Sequence, residues 1–194
     1  MSASTSFCVN CRSCGIRRPS KSSVTETPSF SASGKSTLAD LLAGLYPDSA
    51  VFHADDFFLR PEQRTEARYA QPGGNLDRER LESEILIPIS RNEAAVYRLF
   101  DCRTLSLREP VTVLPGRLNI VEGSYSFHPE LARYYDLSVF LDISPETQRS
   151  RILKRNGPEW GQQFFDRWVP LEQTYFHETD TQGRCTLALK EEIR

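Results

Sequence analysis

The sequence lacks the features that mark membrane proteins and nucleic-acid-binding proteins. No apolar run approaches the roughly 18 residues that a membrane-spanning helix needs. Lys and Arg (24) nearly balance Asp and Glu (26), so no strong net charge favours nucleic acid or an anionic membrane as a partner. A chain of 194 residues is long enough for one domain with a substantial core. We therefore expect a cytoplasmic protein built around one folded domain.

Cysteine is scarce and odd in number, which argues against a disulfide framework. The five are Cys8, Cys11, Cys14, Cys102 and Cys185. The first three form C-x-x-C-x-x-C, a spacing that can hold an iron–sulfur cluster or part of a zinc site. No fourth ligand lies nearby in the sequence, and the surrounding segment is too poor in large apolar residues to shield a cluster. We interpret them as free thiols, and the metal content of the purified protein tests the alternative.

Large apolar side chains are also scarce at the N-terminus, where serine is abundant. Residues 1–34 carry a net charge of +3, because four basic residues face the single acid Glu26. Such a stretch buries too little apolar surface to offset the entropy lost on ordering it. We predict a disordered tail over residues 1–23 and a folded domain over residues 24–194. An organellar transit peptide is a minor alternative.

From Ser33 onward, helical and strand patterns alternate, which predicts βα units and a mostly parallel sheet flanked by helices in three layers. Strands are predicted at residues 50–53, 118–121, 137–143 and 186–189, and residues 94–97 and 111–114 are predicted to pair as a hairpin. Ser144 is predicted to cap a helix that runs to about Arg155. After a break at residues 157–158, a further helix is predicted to run to about His177.

Two other predicted helices have a clear apolar face. Residues 36–45 place four leucines at i, i+3, i+4 and i+7: Leu38, Leu41, Leu42 and Leu45. Asp77 is predicted to cap the second helix. Its apolar face contains Leu81, Ile85, Leu86 and Ile89.

The first of these helices follows the sequence SGKST at residues 33–37. Backbone N–H groups at a helix N-terminus point toward a bound anion, and the helix dipole favours it. Lys35 can reach the outer phosphates of a nucleotide, and the hydroxyl of Ser36 can ligate Mg²⁺. The full phosphate-loop pattern is G-x-x-x-x-G-K-[ST], and here its first position is Ser29. We interpret the residues that follow as an ATP-binding loop, with a chance match as the alternative: Ser33, Gly34, Lys35, Ser36 and Thr37.

Carboxylates stand at the ends of two predicted strands. Asp55 and Asp56 follow residues 50–53, and Glu122 follows residues 118–121. Ligands of doubly wound sheets bind at the carboxyl ends of the strands, and phosphoryl transfer needs a group that orients or deprotonates the attacking hydroxyl and acids that place Mg²⁺. We interpret Ser36, Asp55 and Glu122 as Mg²⁺ ligands. Solvated loop acids and, for Glu122, a plain salt bridge are the alternatives.

These motifs stand in an order that resembles the bacterial uridine kinase-like proteins, a branch of the P-loop kinases. The resemblance extends from about residue 29 to residue 189. It is carried by residues 32–39, 53–58 (HADDFF), 72–77 (PGGNLD), 97–103 (YRLFDCR), 120–123 (IVEG) and 141–142 (LD), followed by Arg149, Arg151 and Arg155. It implies a P-loop NTPase-type fold and, with ATP and Mg²⁺, transfer of the γ-phosphate to a nucleoside, most of all to the 5′-OH of uridine or cytidine.

The resemblance also implies roles for individual residues. Asp55 would be the catalytic base, assisted by Lys35 and Glu122, and Asp77 would hold the ribose hydroxyls as a double acceptor. Tyr97, Phe100 and Arg103 would enclose the base, although aromatic residues of a hairpin are as often packing. Arg151 and Arg155, on a helical lid of about residues 149–165, would bind the transferring phosphate. A solvated basic face is the alternative for these two arginines.

The segment before the phosphate loop departs from the family pattern. The family has a buried apolar strand there, whereas residues 24–30 read VTETPSF. Glu26 and Pro28 do not suit the middle of a parallel sheet, and a serine at position 29 would be strained if it had to take a positive φ. We therefore expect weak ATP binding, and we interpret the segment either as a replaced N-terminus or as divergence.

Three functions compete on this sequence. The first is an active kinase of a nucleoside or of another small alcohol, such as pantothenate or ribulose phosphate. The second is a degenerate nucleotide-binding protein of the same fold. The third is an interaction protein with a metal-binding tail. Substrate-dependent ADP release distinguishes the first from the second.

Overall fold

A five-stranded sheet with helices packed against it forms the frame of the molecule. The structure is a computed structural model that describes residues 3–11, as backbone, and residues 32–190. The strands are β1 (Ala3–Cys11), β2 (Ser49–His53), β3 (Ala95–Asp101), β4 (Ser106–Val113), β5 (Leu118–Glu122), β6 (Leu137–Ile143) and β7 (Leu187–Lys190). The α-helices are α1 (Lys35–Leu45), α2 (Glu66–Tyr69), α3 (Arg78–Leu81), α4 (Ile87–Ser90), α5 (Pro145–Gln163), α6 (Val169–Glu178) and α7 (Thr181–Arg184).

Shorter turns connect these elements. Two are π-helical, Glu82–Leu86 between α3 and α4, and Phe164–Trp168 between α5 and α6. The 3₁₀ turns are Ala54–Phe57, Pro61–Gln63 and Ala132–Tyr134. The turn Ala54–Phe57 follows β2 directly, so it stands at the carboxyl end of that strand.

The strands of the sheet lie in the order β2-β5-β1-β6-β7. The pairs β2–β5 and β6–β7 are parallel, and β1 is antiparallel to both of its neighbours. The strands β2, β5, β6 and β7 therefore run in one direction, which confirms the predicted α/β fold with parallel strands and flanking helices. The three-layer arrangement stays a prediction. The central strand is the exception to the parallel pattern.

That central strand corrects the prediction of a disordered tail over residues 1–23. Residues 3–11 form β1 instead, and their backbone pairs from Cys11 opposite Leu118 to Ala3 opposite Ile143. An empty position between β5 and β6 would leave two rows of backbone groups without ladder partners, which is costly in the middle of a sheet. Threonine, phenylalanine and valine, the residue types at positions 5, 7 and 9, are common in strands. The rest of the predicted tail, Cys14 and residues 24–30 lie outside the described residues.

The helix α1 forms as predicted, but only part of its leucine face is buried. Ala39 is fully buried against Ile120 and Val139 of the sheet, with Leu38 and Leu42 packed beside it. Leu41 and Leu45 are 59% and 66% exposed, so their predicted burial is wrong. The small Ala39 side chain lets the helix approach the sheet along one narrow line of contact. Leu41 and Leu45 lie outside that line.

The main core lies on β2, β5 and the helical run from α3 to α4. The predicted apolar face behind Asp77 is confirmed, because Leu81, Ile85, Leu86 and Ile89 are at most 2% exposed. They pack with aromatic residues into one cluster that includes Phe52, Phe57, Tyr97, Tyr125 and Tyr175. The cluster supports the carboxyl ends of β2 and β5 from below.

Several local predictions are also confirmed. The Asp77 side chain accepts a hydrogen bond from the Arg80 N–H, and the Ser144 side chain accepts one from the Thr147 N–H. The predicted break between the two later helices lies at Gly157, whose φ of 75° and ψ of 170° interrupt α5. The hairpin forms from β3 and β4, with a shift of register between Arg98 and Phe100. None of the helices in the described part of the chain is long and apolar enough to span a membrane.

Candidate active site

The N-terminus of α1 presents backbone groups that suit an anion. Its N-cap is Gly34, with a φ of 92°, and Ala32 also has a positive φ, of 57°. A glycine N-cap has no side chain to accept from the first-turn N–H groups, and no acidic residue lies in the first turn. The helix therefore directs its first-turn N–H groups and its positive dipole end toward a ligand such as phosphate.

Lys35 follows this cap and is almost completely buried. Its side chain is 1% exposed, although a buried ammonium group is stable only beside opposite charge. The charge of Lys35 acts on two buried carboxylates, Glu122 and Glu172. The hydroxyl of Ser33 is also buried and has no hydrogen-bond partner within the described residues. Of the other predicted loop residues, Ser36 is partly buried and Thr37 is exposed.

Glu122 reaches the same place from the end of β5. It pairs in register with His53, the last residue of the parallel neighbour β2. Their side chains are hydrogen-bonded, with 2.6 Å between His53 Nδ1 and Glu122 Oε1. Glu122 is 1% exposed, and its other oxygen, Oε2, has no well-aligned hydrogen-bond partner in the part of the chain that the structure describes. One carboxylate oxygen is thus held by the protein, and the other is left for a ligand.

The charges of this pair stabilise each other. Burial alone would raise the pKa of Glu122, but the hydrogen bond with His53, the charge of Lys35 and a hydrogen bond from Ser36 bring it below its usual value. Burial likewise disfavours charged His53, yet the bond and charge of Glu122 raise the pKa of His53 above 6.5. Glu122 is therefore a carboxylate at neutral pH, as a Mg²⁺ ligand must be.

Asp55 and Asp56 occupy the 3₁₀ turn after β2. Burial raises the pKa of Asp56 to about 6, with the positive charge of His53 opposing the rise. The charge of Asp55 acts on groups from three other elements, namely Arg155 of α5, Glu172 of α6 and Tyr125 after β5. Asp55 therefore lies among the elements that meet at this edge of the sheet, as expected for a catalytic base.

Asp77 combines two functions in its two oxygens. Oδ1 accepts the capping hydrogen bond from the Arg80 N–H, 3.2 Å away. Oδ2 is buried and has no hydrogen-bond partner among the described residues, and the whole side chain is 1% exposed. The Asp77 N–H donates to the Phe57 carbonyl at 2.7 Å, which ties Asp77 to the turn that carries Asp55. The predicted cap is confirmed, and the substrate-binding role of Asp77 stays a prediction.

Two glycines allow these segments to come so close. A Cβ at Gly123 would lie 2.6 Å from the Ala54 Cβ, and Gly123 has a φ of 148°. Any side chain there would push the end of β5 away from the turn that carries Asp55. A Cβ at Gly74 would lie 1.8 Å from the Arg68 carbonyl oxygen. The Arg68 guanidinium donates to the carbonyls of Gly74 and Leu76 and so fixes the segment that leads to Asp77.

Two of the three predicted arginines of α5 interact with residues of the candidate site. Arg151 Nη1 donates to the Ala32 carbonyl at 3.2 Å. Arg155 is more exposed, and it interacts electrostatically with Asp55 and Glu172. Arg149 instead lies over the Phe165 ring, 4.4 Å from its centroid. The structure thus brings Arg151 and Arg155 to the site and leaves Arg149 in packing.

The predicted base-binding residues of the hairpin have different environments. Tyr97 is 7% exposed and stacks on Phe57 with 5.6 Å between ring centroids. Burial, and then the charge of Asp56, raises the pKa of Tyr97 to about 12. Phe100 is buried beneath the Arg64 guanidinium, and the Arg103 side chain is 89% exposed. Tyr97 and Phe100 are therefore packing residues, and the structure does not bring Arg103 into the cluster around Lys35.

Sequence reasoning missed two residues of the site, His53 and Glu172. The sequence around His53 gives no sign of a functional role, because only the register of β2 against β5 places His53 beside Glu122. Glu172 lies on α6 and is 6% exposed. An acid three positions before the buried Tyr175, on the same helical face, is the signal that would have found it.

The oxygen donors around Glu122 suit Mg²⁺. Ser36 supplies a hydroxyl, and Glu122 supplies a buried oxygen that has no hydrogen-bond partner among the described residues. The charge of Asp55 acts on Arg155 and Glu172, which belong to the same region. Within the described residues, no three His, Cys, Asp or Glu side chains converge as a complete metal site. Mg²⁺ in kinases is commonly held by one or two carboxylates together with substrate phosphates, so this donor set fits Mg²⁺ that arrives with a nucleotide.

An open hollow of about 460 Å³ lies apart from these residues. It is lined by Tyr69, Asp166, Arg167, Pro170, Leu171 and Thr174. None of the predicted site residues lines it. Its mostly exposed lining gives no reason to place the chemistry there.

Comparison with known proteins supports the fold. No protein-family model and no curated protein matches the chain. A similar solved structure is that of a possible uridine kinase from Bacillus stearothermophilus, with a TM-score of 0.62 and 19% identity, covering 85% of this chain and 91% of that chain. At this identity the similarity establishes a shared fold and leaves the reaction to be argued from the site.

Proposed function

We propose that this chain is an ATP-dependent phosphotransferase that moves the γ-phosphate to a hydroxyl of a nucleoside, namely the 5′-OH of uridine or cytidine. One observation carries the proposal: the charge of a buried lysine at a glycine-capped helix N-terminus acts on a carboxylate that has a buried oxygen without a hydrogen-bond partner among the described residues. Charge buried in this way is costly unless a ligand completes it. A nucleotide with Mg²⁺ supplies both the anion for Lys35 and the cation for Glu122.

Each residue has a role that follows from its position. Ser33, Gly34, Lys35, Ser36 and Thr37 surround the phosphates, and Arg151 and Arg155 face the transferring group from α5. Ser36, Glu122 and Asp55 would hold Mg²⁺, which would neutralise the charge of the phosphates. Asp55 accepts the proton of the attacking hydroxyl as that oxygen bonds to the γ-phosphorus. The bond to the β-phosphate oxygen breaks, and ADP leaves.

Asp77 supports a sugar as the acceptor. Its Oδ2 is buried and has no hydrogen-bond partner within the described residues, and the Asp77 backbone N–H donates to the Phe57 carbonyl in the turn that carries Asp55. A carboxylate oxygen in that position accepts hydrogen bonds from neighbouring hydroxyls, as a ribose offers them. The similar structure bears the name of a possible uridine kinase, which favours a nucleoside over pantothenate or ribulose phosphate.

The antiparallel β1 favours a second candidate, a nucleotide-binding protein with little turnover. Cys11, the last residue of β1, pairs with Leu118 at the start of β5, so β1 ends at the edge of the sheet opposite Glu122. In a parallel arrangement this strand would lead directly into the phosphate loop. Here residues 12–31 separate Cys11 from Ala32, so β1 does not anchor the loop directly, and weak ATP binding is the expected consequence.

The experiment is an ADP-release assay with Mg²⁺ over a panel of hydroxyl acceptors: uridine, cytidine, adenosine, pantothenate and ribulose 5-phosphate. We expect release that depends on uridine or cytidine and disappears in Asp55→Asn. ADP release that depends on another acceptor would identify that acceptor as the substrate instead. Binding of ATP without acceptor-dependent release would favour the second candidate, and neither binding nor release would contradict both.

A further inference from the structure

Arg80 is a buried arginine for which the proposed reaction has no role. It lies on α3, three residues after Asp77, and is 9% exposed. Within the same helical run its guanidinium pairs with Glu84, where Nε donates to Oε1 and Nη2 to Oε2, each at 2.8 Å. Arginine is rarely buried to this degree, and further contacts of the guanidinium reach two other elements.

One of these contacts fastens the hairpin to α3. Arg80 Nη2 donates to the Arg98 carbonyl of β3 at 2.6 Å. Arg98 lies opposite Pro110 of β4, which has no backbone N–H to donate, and the register of the two strands shifts between Arg98 and Phe100. The guanidinium therefore supplies a charged donor, one of the stronger kinds in proteins, where the ladder of the hairpin is irregular.

The other contact is with the turn that carries Asp55. The guanidinium carbon of Arg80 lies 5.0 Å from the centroid of the Phe57 ring, within the range of a cation–π interaction. Phe57 is fully buried and is the last residue of that turn, two positions after Asp55. Its ring stacks on Tyr97 of β3, and its carbonyl accepts from the Asp77 N–H. Phe57 is thus held by α3 and by β3, and Arg80 joins these two elements to each other.

We propose that Arg80 is a positioning residue, which fixes the Phe57 end of the turn against α3 and β3 and thereby orients Asp55 toward the acceptor hydroxyl. The role of Asp55 as base rests on the proposed function, whereas the fastening of the turn does not. The cap of α3 is independent of the guanidinium, because Asp77 Oδ1 accepts from the backbone N–H of Arg80. Substitution of the Arg80 side chain therefore tests the turn and leaves the cap in place.

A double-mutant cycle in kcat tests whether Arg80 acts through Asp55. The variants are Arg80→Gln, Asp55→Asn and their combination, compared by steady-state ADP release with circular dichroism to verify folding. Arg80→Gln alone should lower kcat by about tenfold to hundredfold, the cost of a misplaced catalytic group, and leave the KM for ATP within about twofold. In the Asp55→Asn background the same substitution should lower kcat by less than about twofold. Equal losses in both backgrounds would make Arg80 a merely structural residue and overturn the proposal.

Two further variants complete the cycle. Arg78→Gln is the matched control, since Arg78 lies on the same helix and pairs instead with Glu130 at 2.8 Å. Its kcat should stay within about twofold of the unmodified chain. Arg80→Lys keeps the charge but loses the planar fork, so it should show the same pattern as Arg80→Gln and replaces that variant if the glutamine prevents folding.

Amide hydrogen exchange without any ligand tests the fastening itself. The reporter is the Asp77 N–H, which is bonded to the Phe57 carbonyl, and the Ile120 N–H in the middle of the sheet reports global unfolding. Relative to Ile120, exchange at Asp77 should be about tenfold faster in Arg80→Gln and unchanged in Arg78→Gln. An unchanged ratio in Arg80→Gln would overturn the proposal. A changed ratio together with no ADP release by the unmodified chain would contradict the proposed function and leave the fastening supported.

Discussion

The end of β5 and the β3–β4 hairpin both carry residues that the sequence assigns to the site, yet the two regions are built differently. At the end of β5, Lys35 and Glu122 are each 1% exposed, and Glu122 keeps an oxygen without a partner in the described structure. In the hairpin, Tyr97 stacks on Phe57, and Asp101 is paired with Arg108 at 2.7 Å. The hairpin satisfies its own side chains, whereas the β5 region does not.

The difference shows which kind of evidence points to a ligand. Aromatic rings gain stability from packing alone, so buried aromatics are explained without a substrate. Buried charges and unpaired oxygens raise the free energy of the folded protein unless something completes them. Among the residues that the structure describes, the β5 region therefore leaves polar groups that a ligand would complete, and the hairpin does not.

The largest difference between the β5 region and the hairpin is expected in catalysis, where Asp55→Asn should have the strongest effect. The amide cannot accept the proton of the attacking hydroxyl, so kcat should fall by roughly 10²–10⁴, the range for loss of a general base. Acceptor and ATP affinities should change much less. Steady-state ADP release measures kcat and the apparent affinities. Asp56→Asn is the neighbouring control, and its kcat should fall less. A collapse of affinity with kcat preserved would make Asp55 a binding residue.

A second effect is expected from Asp77→Asn. Asparagine caps a helix about as well as aspartate, so the free energy of unfolding should change by less than about 0.5 kcal/mol. The acceptor loses a hydrogen bond to a charged group, so its KM should rise by roughly 10-fold to 100-fold. Asp77→Ala, which loses the cap as well, should be destabilised by about 1 kcal/mol in addition. An unchanged KM in Asp77→Asn would remove the substrate role.

The β5 region should also make stability depend on pH. The pKa values of Glu172 and Asp56 rise from 4.5 and 3.8 to about 7 and about 6 on folding, and that of His53 rises above 6.5. Each group thus binds its proton more tightly in the folded protein, and that stabilisation is lost as pH rises through the folded values. Glu122, with a lowered pKa, stays ionised throughout this range.

We therefore expect the free energy of unfolding to fall by about 1–3 kcal/mol between pH 6 and pH 8. Urea unfolding at several pH values measures it. The decrease should be smaller in Glu172→Gln. Stability that rises over this interval would show that the buried acids are not protonated as described.

The smallest effects are expected in the hairpin. Arg103→Ala, at an exposed side chain, should leave KM unchanged and alter the free energy of unfolding by less than about 0.5 kcal/mol. Tyr97→Phe keeps the stacked ring and should leave KM unchanged too. Steady-state kinetics and urea unfolding of both variants provide the measurements. A rise of tenfold or more in acceptor KM for either variant would place the hairpin in the binding site after all.

The parallel strands, the caps and the helix that begins at Lys35 were predictable because each depends on local sequence. Ser144 and Asp77 cap helices through hydrogen bonds to residues three positions away, and such bonds leave a local signature. The buried face of the helix at residues 78–90 follows from periodicity alone. Asp55 and Glu122 were found because strand ends in such a sheet share an edge.

Other features depend on contacts that sequence periodicity does not encode. The pairing of His53 with Glu122 depends on the register of two strands and joins residues 69 positions apart, and the hydrogen bond from Ser124 to Glu172 depends on where α6 packs. Burial of Leu41 and Leu45 was predicted because the helical pattern gives the direction of the apolar face. The pattern does not give the width of the contact between α1 and the sheet. The strand formed by residues 3–11 was missed because composition describes a segment in isolation, whereas the open edges of β5 and β6 supply its partners.

The central claim is that the start of α1, with Lys35, binds the phosphates of a nucleotide. The most direct test is calorimetric titration of MgATP into the unmodified chain and into Lys35→Ala, with circular dichroism to verify that the variant is folded. We predict weak, one-to-one binding by the unmodified chain that requires Mg²⁺ and is lost in Lys35→Ala. Equal binding by both proteins, or no binding by the unmodified chain at millimolar MgATP, would contradict the account.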